Sequence, residues 1–361
     1  MTKILIVHSS YPHNGKNYGG AKKMITWLGN NLSEKGCNVT FCSIYDIERP
    51  DSLGNRTNYI ELKINRYKSF LKRNLLFFIL FYKRIKLLFN KEQFDYVISF
   101  GETSYFVLLF LKYIYRYKLI VSERADPNHN NGLFDIIRRL CYRYSDIVVC
   151  QSGGAKQCFH YINSEKIKVI PNPITIPEYE WAKEKSEKTI ATSGRLYIKQ
   201  KRQDILLEAF SIVHKKYPEY KLHIYGDGPD YKLLKAYINK LGLDSSVTLF
   251  GCVKCVQQKL KDDGVFVLTS DYEGVPNALL EAMAIGMPCI STKCSPGGAE
   301  MLIQNNKNGY LIECGNINDI ADCISSFIDN KELAQALGKE ARISIRKFDP
   351  QIIINNWIEI L

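Results

Sequence analysis

The stretch Asp271–Thr292, DYEGVPNALLEAMAIGMPCIST, lies between two apolar runs, and its reading decides the fold. The run before it, GVFVLTS (264–270), is short, apolar and β-branched, as expected of a strand buried on both faces. A helix must then begin shortly after Glu273. Pro276 suits the first helical position, where its missing N–H has no partner to lose, and Gly286 followed by Pro288 supplies a left-handed cap and a stop. The spacing predicts a helix of about ten residues, with Leu279, Leu280, Met283 and Ala284 facing a sheet. Glu281 falls one turn in, and Glu273 lies on the loop above the unpaired N–H groups around Asn277 and Ala278. Those amides form an anion site. Carboxylates at the edges of an anion site hold something other than the anion, and sugar hydroxyls are the natural candidates. A plainer reading stays open on this stretch alone: Glu281 as a first-turn acid favoured by the helix dipole, and Glu273 as solvated loop.

Working outward, strands alternate with helices along the whole chain, the pattern of doubly wound α/β domains. In the first half the strands are KILIVHSS, NVTFCSI, YVISFG, KLIVSE, DIVVCQS and KVIPN; the second half restarts with TIATSG, KLHIYGDG, VTLFGC, VFVLTS, PCISTK and GYLIE. Between them PNPITIPEYEWAKEKSEK, rich in proline and then in charge, reads as a linker. The 361 residues, 46% hydrophobic, suit two domains. The boundaries read as 1–172 for an N-terminal Rossmann-like domain and 173–349 for a C-terminal one. A last amphipathic segment, 350–361, is expected to cross back onto the first. Two such sheets imply a cleft, with ligands at the strand C-terminal ends.

Phosphate chemistry shows at two strand ends. Gly19 and Gly20 open a helix after the first strand and let backbone approach a ligand, although a plain tight turn fits them equally. After the first strand of the second half, SGRLYIKQKRQDILLEAF places Arg195 and Lys201 in a loop before a helix. Two cations there would neutralise a diphosphate without metal; the alternative is solvated surface charge. No Asp-x-Asp pair suited to Mg²⁺ is present. The eleven cysteines are scattered and mostly in apolar segments, as reduced core thiols are. Cys252 and Cys255 form a C-x-x-C with no second pair, a weak signal for metal or redox chemistry. No apolar run approaches the ~20 residues of a membrane span, and MTKILIVHSS runs straight into a strand, so a cytoplasmic location is expected.

In order, TSGRLYIKQKRQDILLEAF, KLHIYGDGPD, VTLFG and SDYEGVPNALLEAMAIGMPCIS resemble the retaining glycosyltransferases of family 4, which have the GT-B fold. The resemblance is strong over Thr192–Glu313, and GGAKKMITWLGNNLSEKGCNVTF and VIPNPI extend it more loosely into the first domain. It implies that Glu273 and Glu281 are the family's E-x7-E pair, the first reaching hydroxyls of the donor sugar and the second holding the nucleotide ribose. Arg195 and Lys201 then match the basic pair on the donor diphosphate, Gly274 and the amides of Asn277 and Ala278 its anion site, and Gly19 and Gly20 the closure over the phosphates. Two departures stand out. The spacing from Arg195 to Lys201 is one residue longer than usual, leaving Lys199 as a substitute. Where the family has a histidine after the fourth strand, KLIVSERADPNHN offers Arg124, preceded by Glu123, with His129 beyond Pro127.

The implied reaction is transfer of a hexose, with retention, from a nucleotide-diphosphate donor such as a UDP-sugar to an acceptor hydroxyl, with no cofactor and no metal. For the acceptor, the formal net charge of +12 and the segment 63–91 offer a lead. KINRYKSFLKRNLLFFILFYKRIKLLFNK holds nine cations and no acid, interleaved with aromatics and leucines. Such a segment can lie on an anionic membrane surface, apolar side down, or pack as a helix with a solvated basic rim. The first case implies a peripheral enzyme on the inner face of the cytoplasmic membrane. Its acceptor would be a lipid-linked saccharide in O-antigen, capsule or exopolysaccharide synthesis. Two rival readings are a nucleotide-sugar epimerase on the same fold and a basic nucleic-acid-binding protein; no nucleic-acid module is recognisable, so no nucleic-acid partner is expected.

Overall fold

The computed structural model describes residues 1–8, 20–45, 49–64, 70–128, 133–181 and 188–361. The chain divides into two compact units. Unit 1 comprises Met1–Gln151, Lys156–Pro171 and Ile353–Leu361; unit 2 comprises Ser152–Ala155 and Asn172–Ile352.

In chain order the first elements are β1 (Lys3–His8), α1 (Gly20–Glu34), β2 (Asn38–Ser43), β3 (Asn58–Glu61), α2 (Phe70–Lys91), β4 (Tyr96–Phe100) and α3 (Glu102–Tyr115). Then come β5 (Lys118–Ser122), α4 (Leu133–Tyr144), β6 (Ile147–Cys150), α5 (Gly153–Cys158) and β7 (Ile167–Val169). The strands form a seven-stranded sheet, β3-β2-β1-β4-β5-β6-β7, in which every pairing is parallel. Sequence patterning misses β3. It is a short edge strand with no buried residue, so it carries no apolar run to betray it.

The second half runs β8 (Thr189–Ser193), α6 (Ile198–Lys201), α7 (Gln203–Lys216), β9 (Lys221–Tyr225), α8 (Tyr231–Lys240), β10 (Val247–Gly251), α9 (Val256–Leu260), β11 (Val265–Leu268), α10 (Asn277–Ala284) and β12 (Cys289–Thr292). It ends with β13 (Tyr310–Ile312), α11 (Ile317–Asp329), α12 (Lys331–Ser344) and α13 (Pro350–Ile358). Its sheet, again all parallel, has the order β10-β9-β8-β11-β12-β13. Chain order reverses between β8 and β11, and at such a switch point open α/β sheets bind ligands beside the strand C-terminal ends. Both units are Rossmann-like α/β layers, as the alternation of strands and helices predicts.

In unit 1 a core of Ile4, Ile6, Val39, Phe41 and Ile98 packs under α1 and under Ile353, Ile354 and Trp357 of α13. On the other layer α3 packs on β4 and β5, with α2 and α4 beside it. The apolar side of α2 is not the free surface that sequence reading offered to a bilayer. Phe77, Phe81, Ile85 and Leu88 are buried, because a sheet this wide needs an apolar helix face to cover it, while Ile79 and Leu87 stay exposed. Residues 65–69 of that segment lie outside the described residues. All eleven cysteines are free thiols, with Cys252 and Cys255 exposed.

Candidate functional site

The loop after β8 is shaped by a close approach that only glycine allows. A Cβ on Gly226 (φ +139°) would lie 1.8 Å from the Gly194 carbonyl oxygen, so the GDGPD turn after β9 can press against the turn after β8. There the Leu196 N–H donates to the Asp227 carbonyl at 3.0 Å, and Asp230 Oδ2 accepts from the Ile198 N–H at 2.8 Å, which caps the one-turn helix α6. Lys201 is therefore on a helix, not in the open loop expected from sequence. Arg195 is exposed beside the Tyr197 ring, 5.6 Å from its centroid, and Lys199 is exposed. Lys201 is instead half-buried, and its ammonium forms an ion pair with Glu273. Of the two candidate lysines, the structure thus brings Lys201 to the acidic loop.

That loop leaves β11. Ser270 Oγ donates to Glu273 Oε1 at 2.9 Å, and the Glu273 N–H donates to the Ser295 carbonyl at 2.7 Å. Gly298 must lack a side chain because its Cβ would come within 1.8 Å of the Gly274 carbonyl oxygen. Pro276 is the N-cap of α10 and not its first helical residue, so the helix starts one position later than expected and has eight residues where about ten were expected. Leu279, Leu280, Met283 and Ala284 are buried on its inner side, which leaves Glu281 half-buried one turn in. The amides of Asn277 and Ala278 sit in the first turn, where no intrahelical carbonyl is available to them. Asn172 Nδ2 donates to Asn277 Oδ1 at 2.7 Å. Sequence reading quoted VIPNPI but gave Asn172 no role.

Arg202 was also missed. It follows Lys201 in a left-handed conformation (φ +49°) that costs a non-glycine residue about 1–2 kcal/mol. Its guanidinium reaches Asp204 at 3.2 Å and Asp271 at 3.1 Å. The hydrogen bond to Asp204, with that to Asp271, raises its pKa despite partial burial. The Asp271 N–H donates to the Gln200 carbonyl at 2.9 Å, and Thr269 Oγ1 donates to the carbonyls of Lys201 and Arg202, both at 2.9 Å. The end of α6 and the loop after β11 are therefore strapped together on both sides of Lys201.

Of the unit 1 candidates, Gly19 lies outside the described residues, as does His129, and Gly20 is the first residue of α1. Glu123 is buried. Its Oε1 accepts the N–H groups of Arg124 and Ala125, both at 2.9 Å, and its Oε2 accepts the Tyr142 hydroxyl, with Arg138 Nη1 at 3.6 Å. With both oxygens engaged it braces the turn after β5. Arg124 donates to the Ile170 carbonyl at 3.2 Å and lies 5.5 Å and 5.6 Å from the Phe100 and Trp357 rings. Burial pulls its pKa down to about 10, so it remains charged near neutrality. Among the described residues, no group of three or more His, Cys, Asp or Glu side chains is placed to hold a metal ion.

Two family models match. "Glycosyl transferases group 1" covers residues 177–344, and "Glycosyltransferase Family 4" covers residues 18–176. An uncharacterized glycosyltransferase of Haemophilus influenzae is 28% identical over 354 residues, spanning 95% of this chain and 96% of its own. The lipopolysaccharide 1,6-galactosyltransferase of Salmonella typhimurium is 33% identical over 199 residues, 53% of this chain and 55% of that enzyme. Among solved structures, Anabaena Alr3699/HepE in complex with UDP-glucose superposes with a TM-score of 0.82 at 20% identity, covering all of both chains.

Proposed function

Since the chain is a GT-B glycosyltransferase of the group 1 and family 4 type, we propose that it moves a hexose, with retention, from a nucleotide-diphosphate donor to a hydroxyl of a lipid-linked saccharide. The observation that carries this reading is the meeting of Lys201 and Glu273 beside the first turn of α10. Lys201, Arg195 and the amides of Asn277 and Ala278 supply positive charge to a diphosphate. Glu273 and Glu281 flank it, where they take hydroxyls of the donor sugar and of the ribose. The complex of HepE with UDP-glucose and the lipopolysaccharide galactosyltransferase relative favour a UDP-sugar and a surface-polysaccharide acceptor (O-antigen, capsule or exopolysaccharide).

In such a transfer the barrier lies in building positive charge on the sugar while negative charge grows on the leaving phosphate. Fixed cations and oriented amides aimed at that phosphate stabilise the transition state more than the ground state. Lys201 pairs with Glu273; a diphosphate offers the ammonium a second anionic partner and leaves the Glu273 carboxylate for sugar hydroxyls. Gly19 and Gly20 remain our candidates for backbone contacts to the phosphates. Glu123 and Arg124 shape the turn after β5 and remain our candidates for a role at the reacting sugar. Arg195 and Lys201 take the place of a metal, so the reaction is metal-independent. The enzyme acts at the cytoplasmic face of a membrane.

The test is a panel of nucleotide sugars read by thermal stabilisation, followed by product analysis with and without acceptor. Stabilisation by one donor and a glycosylated product only when acceptor is added supports the reading. Conversion of the donor sugar to its epimer without acceptor establishes the rival enzyme reading instead.

A further inference from the structure

The outer side of unit 1 carries apolar residues that its fold does not use. On α3, Phe106, Phe110, Tyr113 and Ile114 are each more than half exposed, and their spacing of four, three and one residues places them on one stripe. On α4, which packs against α3, Ile136, Leu140 and Tyr144 recur every four residues and are about half exposed or more. The stripe continues to α2 through aromatic pairs, Phe78 with Phe106 at 6.3 Å and Tyr82 with Phe110 at 6.2 Å, and reaches exposed Ile79. Scattered exposed leucines need no explanation, but large apolar side chains in register on three adjacent helices do.

The charge around the stripe says what covers it. Lys83 and Lys86 of α2 and Arg139 and Arg143 of α4 border it. Among the described side chains of these three helices the single acid is Asp135, which is buried and bonded by Arg138 and Arg139. A second copy of the chain, packed symmetrically, would bring these cations face to face with themselves. An anionic bilayer takes both features at once, aromatic and aliphatic tips into the headgroup boundary and ammonium and guanidinium groups onto phosphates.

We propose that the outer face of α3 and α4, bordered by the cations of α2, is the surface by which this chain docks on anionic lipid. The bilayer-facing helices are thus not primarily the 63–91 segment, whose aromatic side is largely spent on the core. The inference bears on the proposed acceptor without resting on it, because bare vesicles suffice to test it.

The experiment is co-sedimentation of the full chain with vesicles of phosphatidylglycerol and phosphatidylcholine, or of phosphatidylcholine alone, at low and high salt. Three proteins are compared: wild type, Phe106→Ser with Phe110→Ser, and Lys83→Glu with Arg143→Glu. Wild type should sediment with the anionic vesicles and lose binding in high salt. Each double variant should bind at least about tenfold more weakly, while keeping its melting temperature and its stabilisation by a nucleoside diphosphate. Equal binding by variants and wild type, or no sedimentation of wild type at low salt, overturns the proposal. So does a wild-type dimer in sedimentation velocity that both variants abolish, which would assign the face to a second copy. Loss of nucleotide stabilisation in wild type would count against the transferase reading and leave this test standing.

Discussion

Lys201 and Glu273 form an ion pair between the last residue of α6 and the loop after β11, and the same carboxylate oxygen accepts the Ser270 hydroxyl at 2.9 Å. Both side chains are largely withdrawn from solvent, so this is not a screened surface pair. A diphosphate must compete with Glu273 for Lys201. Glu273→Ala should therefore bind free nucleoside diphosphate as well as wild type or up to about tenfold better, yet lose about ten- to a hundredfold in turnover as its contact to the sugar disappears. Calorimetric binding and initial rates at saturating donor check this; weaker nucleotide binding with unchanged turnover would reverse the assignment.

Arg202 and Asp271 brace that lysine. Arg202→Gly keeps the left-handed backbone and removes the guanidinium, so the protein should fold while kcat/KM falls roughly tenfold. Asp271→Asn should do the same. The double variant should be little worse than either single one, because the two residues act as one strut. Additive losses in a double-mutant cycle would show that they act separately.

Charge balance by side chains predicts that turnover persists in excess chelator. Arg195→Ala and Lys201→Ala should each reduce kcat by about tenfold or more, and Lys199→Ala, at an exposed position, should change little. Loss of activity in chelator that Mg²⁺ or Mn²⁺ restores would contradict the assignment.

Stability should respond at the opposite end of the central strands of the unit 2 sheet. Buried Asp263 accepts the Thr189 hydroxyl and the Tyr225 hydroxyl, each at 2.9 Å, and meets His223 Nδ1 at 2.6 Å. Asp263→Ala strands these groups and should cost about 3 kcal/mol or more, read as a lower urea midpoint. Activity of the folded fraction should be unchanged, since the network lies at the start of β8 and β11 and the site at their ends.

Much of this was legible because its signals are local. The Pro276 and Gly286 punctuation and the buried run before Asp271 place α10 to within a residue, and the two glutamates follow from it. What escaped depends on partners distant in sequence. Arg202 looks like one more surface cation until Asp271 is seen across from it, and Asn172 has no role until Asn277 is beside it. Edge strand β3 lacks a buried face, and nothing in the order of the aromatics of α2 says which of them the sheet will claim. The exposed stripe on α3 and α4 was hidden for the same reason, since an apolar helix reads alike whether its second face meets protein or lipid.

The most direct test of the central claim, that the loops after β8 and β11 grip a nucleotide diphosphate, is calorimetric titration of UDP and other nucleoside diphosphates into wild type, Lys201→Ala and Glu281→Ala. The account predicts binding by wild type of at least one nucleotide, weakened about tenfold or more by either substitution through loss of a charged hydrogen bond. Binding that neither substitution changes would place the nucleotide elsewhere and contradict it.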